Sequence, residues 1–347
     1  MIYLFNPPPP HHIVFLELIT TFRNVLHELL GLHSTEIKHC MTPDETNAQT
    51  EEELQRFRKN VYVLFGAHIP KYPFNMKLNY FVFNYEQANS PYMKWPAYLA
   101  CVRHSLAILD YSPENLELWF MPGVPSTPGP LLPTDVPSMT NNTINQTQFT
   151  ISKSLIAELP TTEVRKPMTF LIPFGFHKSL EHPHLLMAAE MPVSMKKTDV
   201  LLFGTAHPRR SGCIDRLKAV NINAKMISNT FGDALIDELR HTKLVLNIHF
   251  YLPCVLEQSR LAPLICNQIV VISEPTNDPT ILALYKDCVV FCEETDLVRT
   301  CFRFLLDDKL RIDFAKKARE TFELRCSYVD LVSRSAVTTA LRPFACT

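Results

Sequence analysis

The chain has 347 residues, room for two domains of ordinary size with separate cores. Hydrophobic residues make up 46% and charged residues 20%, which excludes a disordered or fibrous chain. A formal net charge of −1 offers no global attraction to nucleic acid or an anionic membrane, so phosphate recognition has to be local and no nucleic-acid partner is expected.

In chain order, Val14–Leu30 has helical periodicity and ends at Gly31, a C-cap residue. Val61–Phe65 reads as a buried strand closing on Gly66 and then His68. Leu78–Tyr85 is a second strand with Asn84–Gln87 at its exit, Trp95–Val102 a helix, and Leu106–Leu109 a strand leading into Asp110. Pro113 starts a short helix. Glu86 and Asp110 each end a strand, where they either face a cleft or cap nearby backbone. Residues 121–167 are rich in Pro, Thr, Ser and Asn and read as a loop insert. The pattern resumes at Phe170, and the chain divides into domains 1–175 and 176–347.

The second half is more regular. Strand 199–203, helix 211–219, strand 224–227, helix 232–240 and strand 244–248 follow one another. A helix-like segment then carries Glu257 and Arg260, and strand 269–272 leads to Glu274. A short strand, Cys288–Phe291, and helices Thr295–Leu306 and Lys309–Arg325 complete it. Strands alternating with helices predict an α/β fold with a doubly wound parallel sheet in each half.

Ten cysteines include no C-x-x-C pair, which argues against a zinc ribbon or a thioredoxin-type site. Cys266 and Cys288 lie in apolar runs and read as small buried thiols. Reduced thiols suit a cytoplasmic protein. No basic n-region with a small-residue cleavage site precedes the run Pro7–Pro10. No apolar stretch reaches the ~18 residues of a membrane span. The sequons at Asn141 and Asn145 fall in the polar insert and read as chance.

The chemistry concentrates in the second half. Gly204-Thr-Ala-His207-Pro-Arg209-Arg210 leaves a strand and enters a helix, where free N–H groups and the helix dipole favour an anion. Adjacent arginines add charge-assisted contacts to phosphate, although the segment is neither a Walker A nor a GxGxxG loop. Glu257 and Arg260 lie three apart, so they form either an ion pair on an exposed helix or a carboxylate able to accept two ribose hydroxyls. His249 follows one strand directly and Glu274 ends the next. In open α/β sheets that carboxyl edge is where ligands bind. Nothing matches a Gly-x-Ser-x-Gly elbow, a His-Glu-x-x-His site or a clustered Asp metal site, so no metal ligands and no cofactor are expected.

In order and spacing, these segments resemble the two-domain GT-B glycosyltransferases of group 1 type with a CgeB-like carboxyl-terminal domain. The matching segments are Leu202-Phe-Gly204 with Arg209-Arg210, Leu246-Asn-Ile-His249, Leu256-Glu257-Gln-Ser-Arg260 and Val270-Val-Ile-Ser-Glu274. Upstream, Asn84–Gln87, Asp110–Ser112 with Asn115, and Ile172–His177 match the family's amino-terminal and joining segments. The resemblance spans roughly residues 61–325. It implies two Rossmann-like domains facing an interdomain cleft, with a nucleotide diphosphate sugar held by the carboxyl-terminal one.

By that resemblance, Glu257 binds the donor ribose, and Arg209 or Arg210 stabilises the departing diphosphate without a bound metal. Gly204 and Arg260 belong to the same donor-binding set. His249 stands where many relatives carry the first glutamate of an E-x7-E pair, and His249 and Glu274 lie near the transferred sugar. Where relatives have glycine before the second strand, this chain has Asn267-Gln268. Two other functions fit the same residues: a nucleotide-sugar epimerase on this fold, and a catalytically silent binding module. The acceptor, the donor base and the oligomeric state carry no signature.

Overall fold

The computed structural model describes residues 1–7, 12–31, 35–38, 41–67, 74–87, 90–118, 167–251 and 255–345. The insert at 121–167, apart from Pro167, lies outside the described residues, as do Asn141, Asn145, His68 and the prolines at 8–10. The chain forms two units, one of Met1–Pro8, Ser34–Leu171 and Pro343–Thr347, the other of Pro9–His33 and Ile172–Arg342.

Along the chain come β1 (Ile2–Phe5), α1 (His12–Leu30), β2 (Thr35–Lys38), α2 (Pro43–Asn47), α3 (Glu51–Phe57), β3 (Val61–Phe65) and β4 (Tyr80–Asn84). Then follow α4 (Pro96–His104), β5 (Ala107–Asp110), α5 (Pro113–Leu118) and β6 (Met168–Leu171). The first unit is built on a parallel sheet in the order β2-β1-β3-β4-β5-β6. Every residue of β3 and of β4 is buried, as a parallel strand covered on both faces requires.

α2 and α3 start on capping boxes, Thr42 with Glu45 and Thr50 with Glu53. Glu45 also accepts from buried Tyr62 Oη (2.6 Å) and from Lys38 (3.0 Å). Burial alone would raise its carboxyl, but the bonds from Tyr62, Thr42 and Lys38 outweigh that and hold it below its usual value.

The second unit continues with α6 (Pro183–Ala189), β7 (Thr198–Phe203), α7 (Pro208–Ala219), β8 (Ala224–Ile227), α8 (Gly232–Arg240) and β9 (Thr242–Asn247). Next are α9 (Gln258–Cys266), β10 (Val270–Ser273), α10 (Pro279–Tyr285), β11 (Val290–Phe291), α11 (Leu297–Leu306), α12 (Asp308–Arg325), α13 (Tyr328–Arg334) and α14 (Val337–Ala345), whose residues from Pro343 onward belong to the first unit. Its parallel sheet has the order β11-β10-β9-β7-β8. The chain winds outward from β7 to β8, then returns to the other side of β7 with β9. Between the carboxyl ends of β7 and β9 the winding reverses, which opens the crevice where such sheets bind ligands.

α1 belongs to this second unit, although its position in sequence assigns it to the first half. Ile19, Phe22, Val25 and Leu26 on it are fully buried. The turn Lys178–Leu180 packs beside it, with Ser179 Oγ donating to Thr21 Oγ1 (2.9 Å). His177 Nε2 meets Glu28 Oε1 at 2.9 Å. Gly31, at φ +66°, ends the helix with its N–H on His27 O (2.9 Å). Among the described residues no helix is long and apolar enough to cross a membrane.

Candidate functional site

Three strand ends and two helix starts position the site. β7 runs into Gly204, and α7 begins at Pro208 with His207 as its cap, its Nδ1 accepting from Arg209 N at 3.3 Å. β9 ends at Asn247 and is followed by Ile248 and His249, while β10 ends at Ser273 and is followed by Glu274. Glu257 occupies the cap position of α9, one residue before the helix that sequence periodicity assigns to it. Gly204, Arg209, Arg210, His249, Glu257, Arg260 and Glu274 thus all lie at the carboxyl edge of one sheet.

Hydrogen bonds join most of them. Glu257 Oε2 accepts from Asn247 Nδ2 and from His249 Nδ1, both at 2.9 Å. The other nitrogen of His249 meets Pro275 O at 3.1 Å, so both ring nitrogens are engaged. Asn247 also donates to Ser273 Oγ (3.0 Å) and accepts from Arg260 Nη1 (3.0 Å). Glu274 takes the His249 backbone N–H on Oε2 (2.9 Å) and pairs with Arg209 Nη2 through Oε1. Arg209 further donates Nη1 to His249 O (3.2 Å) and Nε to Glu294 Oε2 (2.9 Å). Arg210, 1% exposed, donates to Ile248 O (2.8 Å) and Thr205 O (3.0 Å).

One carboxylate oxygen stands apart. Among the described residues Glu257 Oε1 is buried with no hydrogen-bond partner, and Arg210 Nη2 lies 3.7 Å away, an ion-pair distance beyond hydrogen-bonding reach. Burial would raise the Glu257 carboxyl, but the His249 bond and charge, the Arg260 charge and the Asn247 bond hold it well below its usual range. The group is therefore an ionised acceptor with one oxygen to spare. Burial, and next the nearby Arg260, bring Arg210 down to about 10.

Gly204 lets these cations converge. At φ +129° its backbone suits glycine, and a Cβ there would sit 2.9 Å from Arg260 Nη2 and 3.4 Å from Arg210 Nη1. The strand end, both guanidinium groups and the start of α7 thus share one small volume. Such a place favours an anion with several oxygens.

Two members of the site carry no role in the sequence reading. Asn247 is the hub that ties Glu257, Ser273 and Arg260 together. Glu294 bridges Arg209 and Arg216, the latter at 2.7 Å, and the Arg216 bond holds its carboxyl low. It lies three residues after β11, on the short turn Glu294–Asp296, so nearness to a strand end was its one signal. In the first unit, Asp110 accepts from one backbone N–H, that of Ser112 (3.1 Å), and from the side chains of Asn115 (2.9 Å) and Asn84 (2.7 Å). Among the described residues no group of three His, Cys, Asp or Glu side chains could hold a metal ion.

No protein-family model matches the chain, and no curated protein matches it in sequence. Solved structures do match its fold. It is similar to alpha-glucosyltransferase (AGT) solved with UDP, with a TM-score of 0.51 at 9% identity, over 97% of this chain and 99% of that one. It is also similar to HepE from Anabaena solved with UDP-glucose, with a TM-score of 0.52 at 10% identity, over 98% and 99% of the two chains. The protein thus has the α/β architecture of the GT-B glycosyltransferases, with two parallel doubly wound sheets.

Proposed function

We propose that the chain is a glycosyltransferase of group 1 type with a CgeB-like carboxyl-terminal half, transferring a sugar from a nucleotide diphosphate sugar to an acceptor. The observation that carries this reading is the spare oxygen of Glu257. A buried, ionised carboxylate with one unsatisfied oxygen accepts hydroxyl donors, and a ribose supplies two. The guanidinium groups of Arg209, Arg210 and Arg260 and the start of α7 lie beside it. That pairs a ribose-binding acceptor with a cationic seat for phosphate.

In this mechanism, breaking the bond from the sugar to the diphosphate builds negative charge on the leaving group. Prepositioned donors at that charge typically contribute ~3 kcal/mol each to the rate. Arg209 would share its guanidinium between the diphosphate and the carboxylates of Glu274 and Glu294. His249, engaged at both ring nitrogens, positions Glu257. Glu274, held by Arg209 and the His249 N–H, is the carboxylate beside the transferred sugar. Because side-chain cations and a helix start meet the charge, turnover is expected to persist in EDTA.

UDP is the first donor base to test, because AGT was solved with UDP and HepE with UDP-glucose. At 100 times its dissociation constant, UDP should add about 2.7 kcal/mol of stability. Glu257→Gln keeps the side-chain volume and removes the charge. The variant should lose one to two orders of magnitude in UDP affinity, since a hydrogen bond to a charged group contributes about 1.5–3 kcal/mol. Calorimetric titration of both proteins with UDP, GDP and ADP checks this. Equal UDP affinity in wild type and variant would remove Glu257 from the ribose site. Binding without hydrolysis or transfer of a UDP-sugar would leave a silent module.

A further inference from the structure

At the opposite edge of the second unit's sheet, where β9 and β10 begin, a cavity of about 50 Å3 has apolar walls that include Leu239 and Ile312 and polar ones from Lys196, Arg240, Lys243, Arg311, Thr242 and Gln268; among the described residues no acidic side chain lines it. Three of the four cations have carboxylate partners: Lys243 with Asp199 (2.8 Å), Arg311 with Asp308 (2.6 Å) and Arg240 with Asp237 (3.6 Å). None of those aspartates lines the cavity. Lys196 donates to Arg240 O (2.9 Å) and pairs with no carboxylate among the described residues. Burial first, and then the Arg311 charge, push its ammonium down to about 8. Arg240 Nε is buried with no hydrogen-bond partner. A guanidinium N–H buried without an acceptor is unfavourable, and an ammonium with no carboxylate beside it leaves a charge for an anion to meet.

The backbone adds a separate observation. Gln268, between α9 and β10, sits at φ +55°, a left-handed conformation that glycine adopts at no cost and glutamine does not. The conformation closes α9, with Gln268 N–H on Ile265 O (3.1 Å) and Ile269 N–H on Leu264 O (3.0 Å), and it leaves Gln268 in the cavity lining.

We propose that this cavity binds a small oxyanion of phosphate size, held by Lys196 Nζ and Arg240 Nε, with Gln268 as a further donor and Arg311 supplying charge. The volume is too small for a nucleotide, so the ligand is orthophosphate or the phosphoryl end of a small phosphomonoester. Occupancy would tie the segment before β7, the end of α8, the turn after α9 and α12 to one ion. The cavity lies apart from the nucleotide-sugar site, and only the UDP arm of the experiment rests on that reading.

Thermal unfolding of the full chain, in chloride and in orthophosphate at constant ionic strength and saturating UDP, tests it. A parallel titration with glycerol 3-phosphate separates a free ion from an esterified one. Phosphate should raise the Tm, and Lys196→Met should weaken phosphate affinity at least tenfold while keeping its response to UDP. Gln268→Gly relieves the left-handed strain, so it should raise the Tm in chloride and still lower phosphate affinity. Should Lys196→Met fail to fold, this second variant decides alone. No stabilisation of wild type by either anion overturns the proposal, as does unchanged affinity in the folded variant.

Discussion

Glu257 illustrates how little of a residue's role lies in its identity. Its two oxygens differ: one is fixed by Asn247 and His249, and the other is buried without a bond. Folding lowers its carboxyl below the ordinary value of 4.5, and that of Glu45 likewise. Below 4.5 the unfolded chain therefore takes up protons that the folded chain resists, so stability present above that pH is lost as pH falls. Urea midpoints should hold steady above about pH 6 and decline below the carboxylate range, more shallowly in Glu257→Gln. A second residue-scale test is Gly204→Ala. The Arg260 tip that a Cβ would meet at 2.9 Å is flexible and can shift, so the stability cost is mainly the left-handed backbone, about 1–2 kcal/mol. UDP affinity should suffer more, tenfold or beyond, because the shift displaces a guanidinium from the site.

At the scale of elements, the parallel sheet of the second unit sets the precision of the site. β9 lies between β7 and β10, and its ladder partners place Leu246 opposite Leu202 on one side and Ile272 on the other. All three are fully buried in one core cluster. Leu246→Ala should therefore cost about 2–5 kcal/mol by urea unfolding, since the surrounding strands cannot collapse onto the missing methyl groups. Because Asn247 is the next residue, UDP affinity should fall as well, whereas a surface substitution such as Leu324→Ala on α12 should change neither. The run of apolar residues at 244–248 announced this strand clearly. β1, Ile-Tyr-Leu-Phe, is an apolar run too short at four residues to be told from a helix segment by periodicity, and β2, Thr-Glu-Ile-Lys, lacks such a run. Both depend on pairing with β3 and β1 for their existence.

At the scale of the whole molecule, the two units are not two halves of the sequence. Pro9–His33 belongs with Ile172–Arg342, and Ile19, Phe22, Val25 and Leu26 of its helix α1 are fully buried. Fully burying such a side chain stabilises by about 1.5–3 kcal/mol, so four of them exceed half the stability of an ordinary domain. A fragment starting at Ile172 should accordingly bind a hydrophobic dye and unfold without a sharp transition. The same fragment with residues 9–33 joined through a flexible linker should regain a cooperative unfolding transition. Circular dichroism melts of both fragments check this.

The sequence alone determined the class of fold, the order of strands and helices from 199 to 273, and the carboxyl-edge residues, because strand periodicity and strand-end position are local properties; the helices Pro279–Tyr285, Tyr328–Arg334 and Val337–Ala345 were not read from it. It did not contain the hub role of Asn247, the bridge made by Glu294, the unequal oxygens of Glu257 or the cation-lined cavity at the other edge. Those arise when residues from 85 positions apart, such as Arg209 and Glu294, are brought within 2.9 Å. Such contacts follow from the winding of the sheet rather than from any local pattern. The membership of α1 in the second unit was decided the same way, by its contacts with the turn Lys178–Leu180 and with α13, both more than 140 positions away in sequence.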